Sequence, residues 1–301
     1  NYSDEPLADL ASVPLYYVSQ LSRQRVKVVL SGEGSDEVLG GYDLNFWLNL
    51  FDKRRSFQQL PGIFQRGIGL SALRRVMGNR FNAKYDADLS PLDQRLLSRP
   101  FSATNYLTGA EKNKLFGKTQ PWRDSYAVLQ EDLRRLKTSD PLHQILFTFS
   151  QNWLVEDLLM KADRMSMANS IELRTPFLDY RLVEWAARSP SQIKVGREAN
   201  GEYITKRVLR QFARSRLPIE IIEREKMGFP VPLYDWLSSE LKPWAFEVLG
   251  GSGTQLEQWF ERNEINCMLQ AGTQAGAPVM ARHNLWALLI LEFWSRTWLR
   301  A

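Results

Sequence analysis

The stretch Val26-Lys27-Val28-Val29-Leu30-Ser31-Gly32-Glu33-Gly34 constrains this chain more than any other. β-Branched residues favour extended backbone, and the glycines that follow end it in a tight turn. A near-continuous apolar run that stops at glycines reads as a buried parallel strand whose carboxyl end opens onto a site. Ser35-Asp36-Glu37 and then Gly40-Gly41-Tyr42 continue the segment. Glycines here let backbone N–H groups come close to a phosphate or nucleotide. The turn is not the dinucleotide fingerprint, because Glu37 stands where the third glycine belongs, and the chain holds no G-x-x-x-x-G-K-[ST] loop. Glu33, Asp36 and Glu37 would repel a bare phosphate. They suit phosphates accompanied by Mg²⁺, or a carboxylate that handles a proton. By composition alone, a capped strand-to-helix turn without chemistry is the competing reading.

Around this strand the periodicity is helical. Pro14 to Arg23 places Leu15, Val18 and Leu21 at spacings of three. Helices are expected over Asn152–Asn169, Asp179–Arg188, Tyr203–Arg216 and Asn284–Leu299, with Asp179 as an N-cap and Ser189-Pro190 as a stop. Loops are expected at Gly250-Gly251-Ser252-Gly253 and from Ala271 to Pro278. The fold class is therefore α/β, mostly α-helical with few parallel strands.

Further polar clusters carry a bland and a functional reading. Asp157, Lys161 and Arg164 fall on one helical stripe, which reads as a salt-bridged face. Glu172, Arg174 and Asp179 surround a turn that looks buried, where ion pairing competes with a role in a site. Lys226 sits in Arg224-Glu225-Lys226-Met227-Gly228-Phe229-Pro230-Val231-Pro232, a loop held extended by prolines, and is a good point charge for phosphate. Lys206 is a second candidate, though as sequence it reads as an exposed helical lysine. His143 and His283 have no partner at metal-ligand spacing, so neither a zinc site nor a Ser-His-Asp triad is supported.

Charge and composition exclude other classes. Lys53, Arg54, Arg55, Arg66, Arg74, Arg75, Arg80 and Lys84 face only Asp52 between residues 51 and 84, so the net charge of +5 is a local property. Such a patch can meet nucleic acid, acidic lipid or an anionic partner, but a solvated helical arm is the simpler reading and nucleic acid is not expected. Asp4, Glu5 and Asp9 rule out a signal peptide at this N-terminus. The longest apolar run, Leu285 to Leu291, is far short of the roughly 20 residues a bilayer needs, so no membrane partner is expected. The single cysteine, Cys267, fits a reducing, cytoplasmic setting.

Taken together, these motifs resemble the synthetase domain of the glutamine-hydrolysing asparagine synthetase family. The resemblance runs through Val28 to Tyr42, Lys161-Ala162-Asp163-Arg164-Met165-Ser166-Met167-Ala168, Glu172 to Asp179, Lys226 to Pro232 and the tryptophan-rich C-terminal helix. Asp4-Glu5-Pro6 and Asp9 also look like the family's stretch before this strand, and residues 46–140 are the least recognisable. It implies an ATP pyrophosphatase (PP-loop) fold, related to the adenine-nucleotide alpha-hydrolases, and an amide-forming ligase. An acid would be adenylated by Mg·ATP and then amidated by ammonia released from glutamine in a separate, upstream glutaminase domain. On this view residues 1–45 are the remnant of the α/β nucleotide-binding core, 46–140 a helical insertion and 141–301 a helical body bearing site loops.

Carried over by position, Ser31, Gly32, Gly34 and Lys206 would bind ATP and Asp36 would hold Mg²⁺. Lys226 would stabilise phosphate charge, and Glu33 would position the acid or take a proton from ammonia. Lys161, Asp163 and Arg174 would support them. One family feature is missing from the sequence: the Ser-Gly-Gly-x-Asp-Ser loop that cradles pyrophosphate. Cys267 is internal and cannot be the glutaminase's N-terminal nucleophile. The expectation is a C-terminal part of a larger enzyme, inactive alone. The alternatives are a non-catalytic helical interaction module, or a related amidotransferase acting on a sugar or peptide acid.

Overall fold

A computed structural model of the chain describes residues 2–42, 59, 75–76, 107, 109–117, 131, 134–138, 140–198, 201–224 and 231–299. Most of the basic segment 51–84, most of 46–140, and Lys226 lie outside the described residues.

Helix α1 (Ser12–Ser22) leads into β1 (Val28–Leu30) and the short α2 (Ser35–Leu39). Helix α3 (Gly109–Phe116) follows, then α4 (Pro141–Thr148), which runs through a π-helical stretch, Phe149–Leu159, into α5 (Met160–Met167). Asp140 caps α4 by accepting from the N–H groups of Leu142 and His143. β2 (Glu172–Arg174) pairs in parallel with β1, Val29 opposite Leu173. Both a parallel partner and burial were expected for β1; the partner is there, but the burial is not. Val28 is 39% exposed and Leu30 73%, because β2 is the only partner of β1 among the described residues and a two-stranded sheet covers neither face fully.

Helix α6 (Tyr180–Arg188) starts at Asp179, whose carboxylate accepts from the N–H of Arg181, and it ends where Ser189 turns extended. Then come α7 (Ser191–Lys194) and a two-residue antiparallel ladder of β3 (Gly196–Arg197) and β4 (Tyr203–Ile204). The helix expected from Tyr203 begins only with α8 (Arg207–Ala213), because Lys206 takes a left-handed conformation at φ 50° and breaks the run. Helices α9 (Ile219–Ile222), α10 (Leu233–Ser238), α11 (Lys242–Leu249), α12 (Arg262–Gly272) and α13 (Val279–Trp298) complete the chain.

Among the described residues, two apolar clusters hold the elements around the site. The larger joins α3 and α10 to α13 through Leu115, Leu237, Leu249, Ile265, Leu269 and Leu285. Its buried Glu292 is satisfied by the N–H groups of Gln255 and Leu256 and by Arg296. The smaller cluster seats α2: Val38 and Leu39 pack with Ala186, Leu178 and Val208. The N-terminal segment is stitched to α13, since the indole N–H groups of Trp286 and Trp294 donate to the carbonyls of Ala8 and Asp4. No described helix is long and apolar enough to cross a membrane.

Candidate functional site

At the carboxyl end of β1 the backbone is fixed by the strand pairing. The Ser31 N–H donates to the Arg174 carbonyl at 2.8 Å, and the Ser31 hydroxyl accepts from the Glu33 N–H at 3.2 Å. Gly34 then turns left-handed at φ 85°, and a β-carbon there would stand 2.2 Å from Leu178 Cδ2. Glycine is thus demanded twice, by backbone and by packing. Gly32 is the opposite case, with open space where its side chain would be. The turn has a closed side against Leu178 and an open side at Gly32.

Lys206 reaches this turn from a distant part of the chain. Its Nζ donates to Ser35 Oγ at 2.8 Å and pairs with Asp36 Oδ1 at 3.1 Å, while its N–H donates to the Gly40 carbonyl at 3.0 Å. It is neither helical nor exposed, which corrects the sequence reading. The left-handed backbone at Lys206 re-aims the side chain across α2. Gly41 makes the room: a β-carbon on it would lie 1.9 Å from Lys206 Cε and 2.1 Å from Asp36 Oδ1.

Behind the turn, Glu37 is buried and accepts a hydrogen bond from the Tyr42 hydroxyl, which in turn accepts from Trp153 Nε1 at 2.8 Å. Burial pushes the Glu37 carboxyl upward, and the Tyr42 hydrogen bond only partly offsets it. The Tyr42 hydroxyl is pushed up as well, by burial first and by Glu37 second.

The expected salt-bridged stripe on the second long helix does not form. Lys161 is buried and pairs instead with Asp9 Oδ2 at 2.5 Å, and Arg164 holds Asp4 at 2.8 Å as well as its neighbour Asp163 at 2.7 Å. Asp157 lies in the π-helical stretch, where i→i+5 bonding widens the turn and breaks the i, i+4 alignment. Burial and the Asp9 carboxylate raise Asp157 to about 7, and the charge of Glu33 adds to the effect. Glu33 also helps to raise Glu37. The docking of Asp9 against Lys161 joins residues 152 apart, which no helical period could reveal.

Arg174 and Asp179 are not in a buried turn. Arg174 donates to Glu172 at 2.8 Å, and Asp179 accepts from the Arg181 guanidinium at 2.8 Å, all with exposed side chains. In a strand this short, alternate residues face solvent, so Glu172 and Arg174 meet outside the core. Arg174 nonetheless sits directly beside the site in the strand register, opposite Leu30.

Ser31, Gly32, Glu33, Gly34, Asp36 and Lys206 therefore converge, whereas Lys161 is buried against Asp9 and Asp163 is exposed on α5. Among the described residues no three His, Cys, Asp or Glu side chains gather as a metal site. The donor set still fits Mg²⁺ that arrives with phosphates, because such ions commonly take one or two carboxylates and fill the rest with phosphate oxygens and water. Half-buried Asp36 is a carboxylate of this kind, and the Lys206 ammonium beside it is a cation of the kind that phosphates take.

Comparison with known proteins covers nearly the whole chain. The profile of the family described as asparagine synthase matches residues 1–296. A protein of Mycobacterium tuberculosis (strain ATCC 25618 / H37Rv) named putative asparagine synthetase [glutamine-hydrolyzing] is 33% identical over 97% of this chain and 43% of its own length. Asparagine synthetase [glutamine-hydrolyzing] 1 of Bacillus subtilis (strain 168) is 29% identical over 97% of this chain and 44% of its own. Amidase chry2 of Gibberella zeae is 24% identical over 78% of this chain and 36% of its own. The chain spans less than half the length of these relatives.

Proposed function

The chain belongs to the asparagine synthase family, and from that premise we propose that it carries the ATP-dependent, amide-forming chemistry of a glutamine-hydrolysing ligase. The observation that supports this reading most is the convergence of Lys206 with Ser35 and Asp36 at the glycine turn that ends β1. A cation, a hydroxyl and a carboxylate beside an open backbone suit the phosphates of a nucleotide and little else nearby. The proposal includes an ATP pyrophosphatase-type α/β core, of which β1 and β2 are part.

In this reading Ser31, Gly32 and Gly34 meet ATP through the turn, and Lys206 places its charge on the phosphates. A carboxylate oxygen of the acid attacks the α-phosphorus and pyrophosphate leaves. Ammonia then takes the acyl group and AMP departs. Negative charge grows on phosphate oxygens in the first step, so a fixed cation lowers that barrier more than it stabilises bound ATP. Lys226, outside the described residues, adds a second cation. Glu33 positions the acid or accepts a proton from the attacking ammonia, and Arg174, Lys161 and Asp163 hold the frame around it. Asp36 is the residue that would hold Mg²⁺, which when bound neutralises phosphate charge. Ammonia comes from glutamine hydrolysed in a separate domain.

The test is acid-dependent exchange of labelled pyrophosphate into ATP, measured with whatever coding sequence precedes Asn1 included. The acids offered are aspartate, sugar acids and peptide acids. Exchange that requires one of these acids supports the reading. ATP cleavage to ADP and phosphate under the same conditions would replace it with a phosphoryl-transfer reading.

A further inference from the structure

A cavity of about 500 Å³ lies against α2, lined in part by Glu37 and Val38. At about 100° per helical residue, Glu37 projects roughly 200° around α2 from Ser35, and Val38 roughly 200° from Asp36; Ser35, Asp36 and Lys206 do not line the cavity, which is thus apart from the nucleotide site. Its wall is mostly apolar, built by Val38, Leu146, Phe147 and Val183. Within that wall stands Lys194, only 2% exposed.

Among the described residues, no carboxylate pairs with Lys194, whose Nζ lies 2.9 Å from His143 Nε2. Asp140 is the acid whose charge it feels, but that carboxylate is engaged, Oδ1 capping α4 and Oδ2 accepting from Ser191 at 2.6 Å. Burial lowers the Lys194 amine to about 8, which leaves it largely protonated at neutral pH. A buried ammonium with donors to spare, in an apolar chamber of ligand size, is the form of a binding site for an amphipathic anion.

We propose that this cavity binds a small amphipathic monocarboxylate, its carboxylate on the Lys194 ammonium and its hydrocarbon part on the apolar wall. One buried cation matches one negative charge. A phosphate ester would bring a second charge into the same apolar surroundings with nothing buried to meet it. Lys137, exposed where it borders the cavity, adds positive potential to the approach. Such a ligand would lie against Glu37 and Val38 and thus touch the helix whose other face holds Ser35, Asp36 and Lys206. This is a second site, separate from the acid that the proposed ligase would activate.

The experiment uses octanoate as the probe, titrated calorimetrically into the 301-residue chain, with octan-1-ol as its uncharged counterpart. Saturable octanoate binding is expected, weakened at least tenfold in Lys194→Met, while octan-1-ol binds both proteins alike. Ala187→Phe places a ring at an exposed position of the cavity wall and leaves Lys194 in place, so it decides the matter if Lys194→Met does not fold. It should abolish octanoate binding. Absence of saturable binding to the wild-type chain, unchanged binding in either variant, or displacement of octanoate by ATP would overturn the proposal.

Discussion

Lys206 Nζ stands 3.1 Å from Asp36 Oδ1, closing a contact between a left-handed residue before α8 and the first turn of α2. The same side chain holds Ser35, and the Lys206 N–H holds Gly40, so one residue clamps both ends of the short helix. If that cation serves the phosphates, Lys206→Met should lower acid-dependent ATP–pyrophosphate exchange by on the order of 10²–10³, as loss of a preorganised electrostatic group does. Lys226→Ala should cause a loss of the same order. A Lys206→Met rate near wild type, in protein of unchanged circular dichroism, would remove Lys206 from the mechanism.

Gly41 and Gly34 are required for different reasons and should fail differently. Alanine at Gly41 would drive a methyl group into Lys206 Cε and Asp36 Oδ1. Both atoms belong to side chains that can swing away, so the protein should fold with a small loss of stability while exchange collapses. Alanine at Gly34 meets the packed Leu178 at a positive φ, and should cost about 1–3 kcal/mol of folding free energy as overpacking does. Urea titrations of both variants, set beside exchange rates, separate the two.

The group around Asp157 sets a pH dependence. Its carboxyl is raised in the folded protein from 3.8 to about 7, by burial first and by Asp9 second. A raised carboxyl binds its proton more tightly when folded, so its contribution to stability is full below pH 4 and is lost as pH rises toward about 7. Buried Glu37 acts in the same direction. Asp157→Asn should flatten the fall in stability between about pH 4 and pH 7, measured by urea midpoints. An unchanged slope would show that Asp157 ionises freely.

Lys161 and Asp9 tie the N-terminal segment to α5. Removing only the cation, in Lys161→Met, leaves Asp9 beside Asp157 and should destabilise the fold by about 3 kcal/mol, the low end for a broken buried pair because Asp9 keeps some solvent contact. The double variant Asp9→Asn/Lys161→Met should recover part of that loss. Strictly additive effects in the cycle would deny the coupling.

The parts of this site legible in the sequence were those written in local spacing. The strand-to-glycine turn, the Asp179 cap and the parallel character of β1 follow from a few adjacent residues. What the spacing hid was set by tertiary contacts. Lys206 has a helical neighbourhood, and only the turn beside β4 forces its left-handed backbone and aims its ammonium at Asp36. Lys161 has a good i−4 acid in Asp157, yet the π-helical stretch spoils that pairing and Asp9 takes the cation. The exposure of β1 was also invisible, because a strand's own residues do not say how many neighbours will cover it. Lys194 and His143 gave no signal at all, standing 51 residues apart in sequence.

The central claim is that an acid is activated through its own oxygen at the α-phosphorus of ATP. The most direct measurement supplies an acid that supports exchange, with both carboxylate oxygens ¹⁸O-labelled, together with ATP and ammonia, and examines the products by mass spectrometry. The account predicts AMP carrying one ¹⁸O and unlabelled pyrophosphate. Amide formed alongside unlabelled AMP, or ¹⁸O recovered in inorganic phosphate with ADP, would contradict it.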